Sequence, residues 1–236
     1  MKINDNQKSI IYYFCSMKTM VNFHTHNKIS APDRIDIINI TPAEDTPVPS
    51  ASTCYSAGVH PWFISKNTLN QQYNTLKKWA SDNLIKLIGE TGLDKLKGPE
   101  LAIQTAVFLK HVELSETHSK PLIIHCVKAY NEIISLRKQL KPKQPWIFHG
   151  FNSSVSLMHQ AAEAGFGFSF GPAILQEGSK AGKALEAVDE NRFFLETDDT
   201  ERCIEEIYSA AAVVRQQRVE IISEQIYNNF NNLFIQ

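Results

Sequence analysis

Short apolar runs rich in β-branched and aromatic residues recur along the chain and alternate with longer stretches in which apolar positions repeat at helical spacing. The runs predict strands at 20–25 (MVNFHT), 35–40 (IDIINI), 54–59 (CYSAGV), 85–90 (IKLIGE), 121–126 (PLIIHC), 145–149 (PWIFH), 166–170 (FGFSF) and 193–197 (FFLET). Helical periodicity fills 67–82, 99–118, 130–140, 153–164, 177–190, 201–215 and 217–231. The 99–118 segment opens on Pro99 and Glu100, a favourable first turn, and repeats apolar residues through Leu101, Val107, Phe108, Val112 and Leu114. The first two crossovers differ. Residues 26–34 are too few for a helix, and TPAEDTPVPSAST at 41–53 is rich in proline and turn formers, so both are expected to be loops.

Strands that alternate with helices form parallel sheets, and eight of them predict an α/β fold of the (β/α)8 TIM-barrel kind, slightly degenerate where loops replace the first two helices. An open doubly wound sheet would call for a Gly-rich phosphate loop after an early strand. The nearest candidate, GPAILQEG at 171–178, lacks that fingerprint. No repeat, low-complexity tract or linker divides the chain, so residues 20–236 are expected to form one barrel domain. Residues 1–19 are expected to be an N-terminal extension without fixed order.

Composition narrows the function classes. A formal net charge of -1 over 236 residues leaves no basic footprint for tracking a duplex, although one phosphate could still be gripped in a pocket. Cys15, Cys54, Cys126 and Cys203 form no CxxC pair, which argues against a zinc ribbon or disulfide scaffold and fits a reducing cytoplasm. The segment SIIYYFC at 9–15 is too short and aromatic for a signal core, and no apolar stretch reaches membrane-spanning length.

The chemistry lies in where ionisable residues fall. His24 and His26, His60, Glu90 with Asp94, His125, His149, and Glu196 with Asp198 stand at or just after predicted strand ends. A parallel barrel gathers all such ends on one face, where barrel enzymes keep their active sites. His24 and His26, two apart on a strand, point the same way. Five of the eight histidines share that face, while His111, His118 and His159 fall in helical segments and read as surface or packing residues.

Four imidazoles with Glu90 and Asp198 offer mixed nitrogen and oxygen donors, enough for two divalent ions sharing a carboxylate, with zinc, manganese, iron or magnesium as candidates. Such a pair of ions supports hydrolysis. Covalent routes are disfavoured: Cys126 would point away from His125 on a strand, and there is no GxSxG elbow, Walker loop or GxGxxG fingerprint.

FHTH (23–26), SAGVHPW (56–62), LIGETGLD (87–94), PLIIHCVKA (121–129), IFHGFNSS (147–154), GFGFSFGPAI (165–174), LETDD (195–199) and NNFNNLF (228–234) occur in that order. The ordered set resembles the TatD family of metal-dependent hydrolases, within the amidohydrolase-like barrels. The resemblance implies that His24 and His26 bind one ion, that Glu90 bridges it to a second ion held by His125 and His149, and that Asp198 completes the coordination of the first ion and orients or deprotonates the attacking water. Asp198 could instead cap the following helix. Glu196 would hold a ligand's other nitrogen. His60 resembles a substrate-side histidine that contacts phosphate, unless HPW only shapes a turn with Trp62 over the barrel mouth. Asp94 braces the Glu90 loop or forms a turn.

The chain departs from the family pattern in three places. Asn22 stands where an acid is usual nearby, which would weaken charge support for the first ion. Val127 and Lys128 replace a usual arginine, with Lys128 as a substitute phosphate contact that lacks the arginine fork. ETDD lacks the usual proline-containing continuation. The implied activity is that of a phosphodiesterase of the deoxyribonuclease kind, using two divalent ions on single strands or strand ends. Carboxyl-ester, lactone or aminoacyl-ester hydrolysis on the same site is the alternative, as is a metal-binding protein without catalysis. A cytoplasmic monomer without membrane association is expected.

Overall fold

The computed structural model describes residues 19–28, 31, 33–42, 45–49 and 53–235. The extension expected at 1–19 therefore lies outside the described residues except for its last position, as do parts of the first two crossover loops. Eight strands follow in chain order: β1 (Met20–Thr25), β2 (Arg34–Ile40), β3 (Thr53–Ala57), β4 (Ile85–Asp94), β5 (Leu122–Val127), β6 (Trp146–Phe148), β7 (Phe166–Phe170) and β8 (Phe193–Leu195). All adjacent pairs are parallel and the spatial order is the sequence order, β1 through β8, as in a (β/α)8 barrel. Among the described residues, seven α-helices connect them or close the chain: α1 (Leu69–Ala80), α2 (Leu101–His118), α3 (Tyr130–Leu140), α4 (Val155–Glu163), α5 (Lys180–Ala187), α6 (Ile204–Arg215) and α7 (Val219–Asn232). Among the described residues of the first two crossovers there is no helix.

The strands read as nearly continuous apolar runs because helices cover their outer faces while the barrel fills its inside. Val21, Phe23, Ile37, Ile123, Ile124, Phe148, Phe168 and Leu195 are all buried. Phe23 of β1 stacks on Phe194 of β8 with ring centroids 4.0 Å apart, and Phe148 stacks on Phe166 at 4.4 Å. These contacts sit next to the strand ends that carry the histidines. The barrel is brought nearly closed at that end by a parallel bridge between Thr25 and Asp198. His26 N donates to Asp198 O at 3.0 Å and Asp198 N to His24 O at 3.0 Å. The seam is thus sewn by the backbone of three candidate ligands, so strand pairing itself sets their mutual distance.

Boundaries shift where polar residues interrupt the apolar runs. The strand expected at 54–59 ends at Ala57, and the one expected at 85–90 continues to Asp94, which leaves Glu90 inside β4. Gly89 (φ +131°) and Gly92 (φ +154°) make this path possible. A Cβ on Gly92 would lie 1.9 Å from His125 O, and one on Gly89 would lie 2.3 Å from Ile123 O. Any side chain there would push β5 away from β4.

Candidate active site

Glu90 is a buried carboxylate met by five imidazoles. On one oxygen, Oε2, the Nε2 atoms of His24 and His26 lie at 3.5 Å each. The other, Oε1, is approached by His149 Nε2 at 2.7 Å, His125 Nδ1 at 2.8 Å and His60 Nε2 at 3.1 Å. Asp198 Oδ1 stands 3.7 Å from His24 Nε2 and 3.6 Å from His26 Nε2. The carboxylate therefore divides the donors into two sets, one on each oxygen. Of the residues proposed as metal ligands from sequence, all six meet here: His24, His26, Glu90, His125, His149 and Asp198.

Neighbouring groups aim these side chains. Asn39 of β2 accepts the Glu90 N–H at 2.8 Å and the Ser56 hydroxyl at 3.0 Å. Behind His149, Glu196 Oε1 lies 3.4 Å from Nδ1 and accepts the Gly150 N–H at 2.6 Å. Asp94 Oδ2 accepts the Trp62 indole N–H at 2.6 Å and lies 3.3 Å from His125 Nε2, while its Oδ1 accepts the N–H groups of Leu96 and Lys97. Asp94 therefore both braces His125 and forms a turn.

His60 likewise plays two parts at once. It caps the 3-10 turn Pro61–Phe63, its Nδ1 accepting the Trp62 N–H at 3.1 Å. That bond leaves Nε2 as the nitrogen carrying the proton in neutral imidazole, directed at Glu90 and the cavity.

Protonation preferences follow from crowding. Burial opposes the Glu90 charge, but the His149 charge and the hydrogen bonds from His125 and His149 outweigh it and hold the carboxyl well below its usual range. Burial likewise opposes a His149 cation, and Glu90 and Glu196 reverse that, raising its pKa well above the ordinary value. His26 is raised mainly by its hydrogen bond with Glu90, and His60 is lowered mainly by burial. Burial raises Asp198, against the pull of His149 and His24.

The donor chemistry fits divalent ions. His24 is fully buried, yet neither of its ring nitrogens has a hydrogen-bond partner among the described residues. Unpartnered buried nitrogens are costly unless another group satisfies them. Three sets of potential ligand atoms, His24–His26–Glu90, His24–His149–Asp198 and His60–Glu90–His125, each lie within 4.8 Å of one another. A cavity of about 390 Å³ opens over them, lined also by Asn39, Trp62, Phe63 and Asp199. A larger groove, about 560 Å³, runs between α5 and α6 on the flank and contains no histidine or aspartate.

One expectation about a departure needs revision. Lys128 is exposed beyond β5, in a left-handed conformation (φ +53°), and does not line the cavity. The lysine on the cavity wall is Lys28, ion-paired with Asp45. Asn22 contacts Asp36 Oδ1 at 3.2 Å and Thr197 Oγ1 at 3.0 Å through its amide nitrogen, and its Oδ1 accepts the Thr197 N–H at 3.0 Å. An amide offers a donor to the buried Asp36, which also accepts from Arg34 Nε at 3.0 Å, and an acceptor to the Thr197 N–H. A carboxylate would offer only the second.

Sequence reasoning missed Asn39 and Phe63. For Asn39, the only local signal is a polar residue inside the apolar run IINI; for Phe63, it is an aromatic following HPW.

Eight parallel strands, with imidazoles and carboxylates gathered at their C-terminal mouth, define a (β/α)8 barrel with a candidate metal centre. The model of the family described as TatD related DNase matches residues 49–235, most of the chain, and the chain belongs to that family. It is 30% identical over 146 residues to an "Uncharacterized metal-dependent hydrolase" of Buchnera aphidicola subsp. Baizongia pistaciae, covering 61% of this chain and 54% of the relative. It is 28% identical over 155 residues to a "3'-5' ssDNA/RNA exonuclease TatD" of Erwinia amylovora, covering 63% and 59%. The chain thus spans little more than half the length of these curated relatives. Among solved structures, the Escherichia coli TatD homolog YJJV superposes with a TM-score of 0.76 at 16% identity, covering 91% of this chain and 97% of the other, a likeness of fold. No helix among the described residues is long and apolar enough to cross a membrane.

Proposed function

We propose that the protein is a metal-dependent phosphodiesterase of the deoxyribonuclease kind, acting on single strands or strand ends. The observation that carries this reading is the division of imidazoles across Glu90, with His24 and His26 toward one oxygen and Asp198 beside both of them, and His125, His149 and His60 toward the other oxygen. Membership of the TatD related DNase family and the name of the Erwinia amylovora relative support it. Two divalent ions, zinc, manganese, magnesium or iron, would supply Lewis acidity to a phosphoryl oxygen and a lowered pKa to the attacking water.

In this reading the chain's own groups do the rest. His24, His26, Glu90 and Asp198 would hold one ion, and Glu90, His125 and His149 would hold the other. Asp198, the least enclosed carboxylate of the set, orients the water and takes its proton on a carboxylate oxygen. Glu196 keeps the His149 ring turned toward the cavity. His60, with its proton on Nε2, donates to a non-bridging oxygen of the scissile phosphate.

The test is turnover of single-stranded oligonucleotides, model phosphodiesters and carboxyl esters by protein supplied with each candidate ion. Cleavage of oligonucleotides that disappears in Asp198→Asn supports the reading. Intact oligonucleotides alongside hydrolysed carboxyl esters would replace it with esterase chemistry on the same site.

A further inference from the structure

The rim of the cavity carries a feature that hydrolysis alone does not require. Phe63 is 57% exposed and Trp62 is 40% exposed, and both line the cavity above the histidine cluster. Single exposed apolar residues are ordinary. Two adjacent aromatic rings at the mouth of a polar cavity, on a rigid turn, are a different matter.

The turn is fixed from several sides. Pro61 is buried, the Trp62 N–H is held by His60 Nδ1, and Phe63 N donates to His60 O at 3.0 Å. Trp62 itself is anchored: its indole N–H goes to Asp94, and the Lys97 ammonium sits 3.8 Å from the ring centroid. Among the described residues, the rings recorded beside Phe63 are those of His60, with centroids 5.5 Å apart, and Trp62, with centroids 6.5 Å apart. His60 Nε2 in turn is 3.1 Å from Glu90. An exposed aromatic ring therefore stands one imidazole away from the central carboxylate.

We infer that the Phe63 ring, backed by Trp62, is a nucleobase-stacking subsite, so that an unpaired nucleotide rather than duplex is the unit that enters the cavity. The inference rests on the phosphodiesterase reading above and names what that site recognises. Stacking on an aromatic ring tolerates any base but needs one whose face is free, as in single strands and frayed ends. The rest of the molecule agrees with recognition by stacking rather than by charge. The cavity is near the small end of ligand sites (roughly 300–1,000 Å³), its wall lysine is neutralised by Asp45, and the net charge is -1.

The experiment compares single-stranded oligonucleotides ending in a normal nucleotide with the same strands ending in an abasic tetrahydrofuran unit, using the full chain with a supporting divalent ion. Calorimetric binding of deoxyadenosine monophosphate against 2-deoxyribose 5-phosphate provides a second readout that needs no turnover. The wild type should favour the base-bearing member of each pair. Phe63→Ala and Phe63→Leu should each shrink that preference by roughly tenfold or more, because leucine keeps apolar bulk without a π face, while Phe63→Tyr should keep it.

A Phe63→Leu variant with wild-type preference overturns the subsite. So does a wild type that binds the two small molecules equally. If no oligonucleotide is cut at all, the phosphodiesterase reading falls, and the calorimetric comparison still decides the subsite.

Discussion

Acid should weaken this fold through a histidine outside the active site. His111 on α2 is fully buried; its Nε2 accepts the Val59 N–H at 2.9 Å and its Nδ1 donates to Val107 O at 2.8 Å. Both nitrogens are committed only in the neutral ring, because a protonated Nε2 would face the Val59 N–H donor to donor. Burial pushes its pKa down to about 4 from 6.5.

Between those values the unfolded chain binds a proton that the folded chain refuses, so stability is full above pH 6.5 and is lost as pH falls toward 4. The shift corresponds to about 3 kcal/mol in all, with about 2 kcal/mol of it lost between pH 7 and pH 5. The assay is denaturant unfolding with chelator present, at both pH values, for the wild type and for His111→Gln, whose amide can make both hydrogen bonds without titrating. The wild type should lose about 2 kcal/mol more than the variant. Parallel losses in the two proteins would refute the reasoning. Val59 immediately precedes His60, so the same protonation should also disturb the cavity wall.

Asn22→Ala strips the Thr197 N–H of its acceptor and Asp36 of a donor, and should cost about 2 kcal/mol or more in denaturant unfolding. Asn22→Asp, which restores the acid usual in the family, should also destabilise, by setting a carboxylate against the buried Asp36; wild-type stability in this variant would contradict the account. Asp198→Asn should lower kcat by roughly 10²–10⁴-fold if Asp198 takes the proton, and a loss confined to KM would reassign it to binding.

Strand positions were legible because a parallel barrel buries both faces of each strand, and runs such as LIIHC and FGFSF have no other stable use in a chain of this size. The convergence of His24, His26, His125, His149 and Asp198 was legible for the same reason, since strand ends are where apolar runs stop. Glu90 was found, but its place inside β4 was not, because Gly89 and Gly92 let the strand continue through a path that apolar pattern alone cannot trace.

Asn39 and His111 work through partners 51 and 52 residues away, and no local spacing announces such pairings. His111 read as a surface or packing residue; it is buried, and its hydrogen bond to the residue before His60 was invisible. Lys128 had the right charge at a strand end, but a left-handed residue there carries the chain out to solvent.

The central claim, that Glu90 joins two ion sites, is tested most directly by elemental analysis of the purified chain alongside Glu90→Gln. The account predicts about two divalent ions per wild-type chain and a marked loss of both in Glu90→Gln, since the neutral amide leaves the two imidazole sets without a shared anionic ligand. A wild-type chain that holds no stoichiometric metal, or a Glu90→Gln chain that keeps both ions, would contradict it.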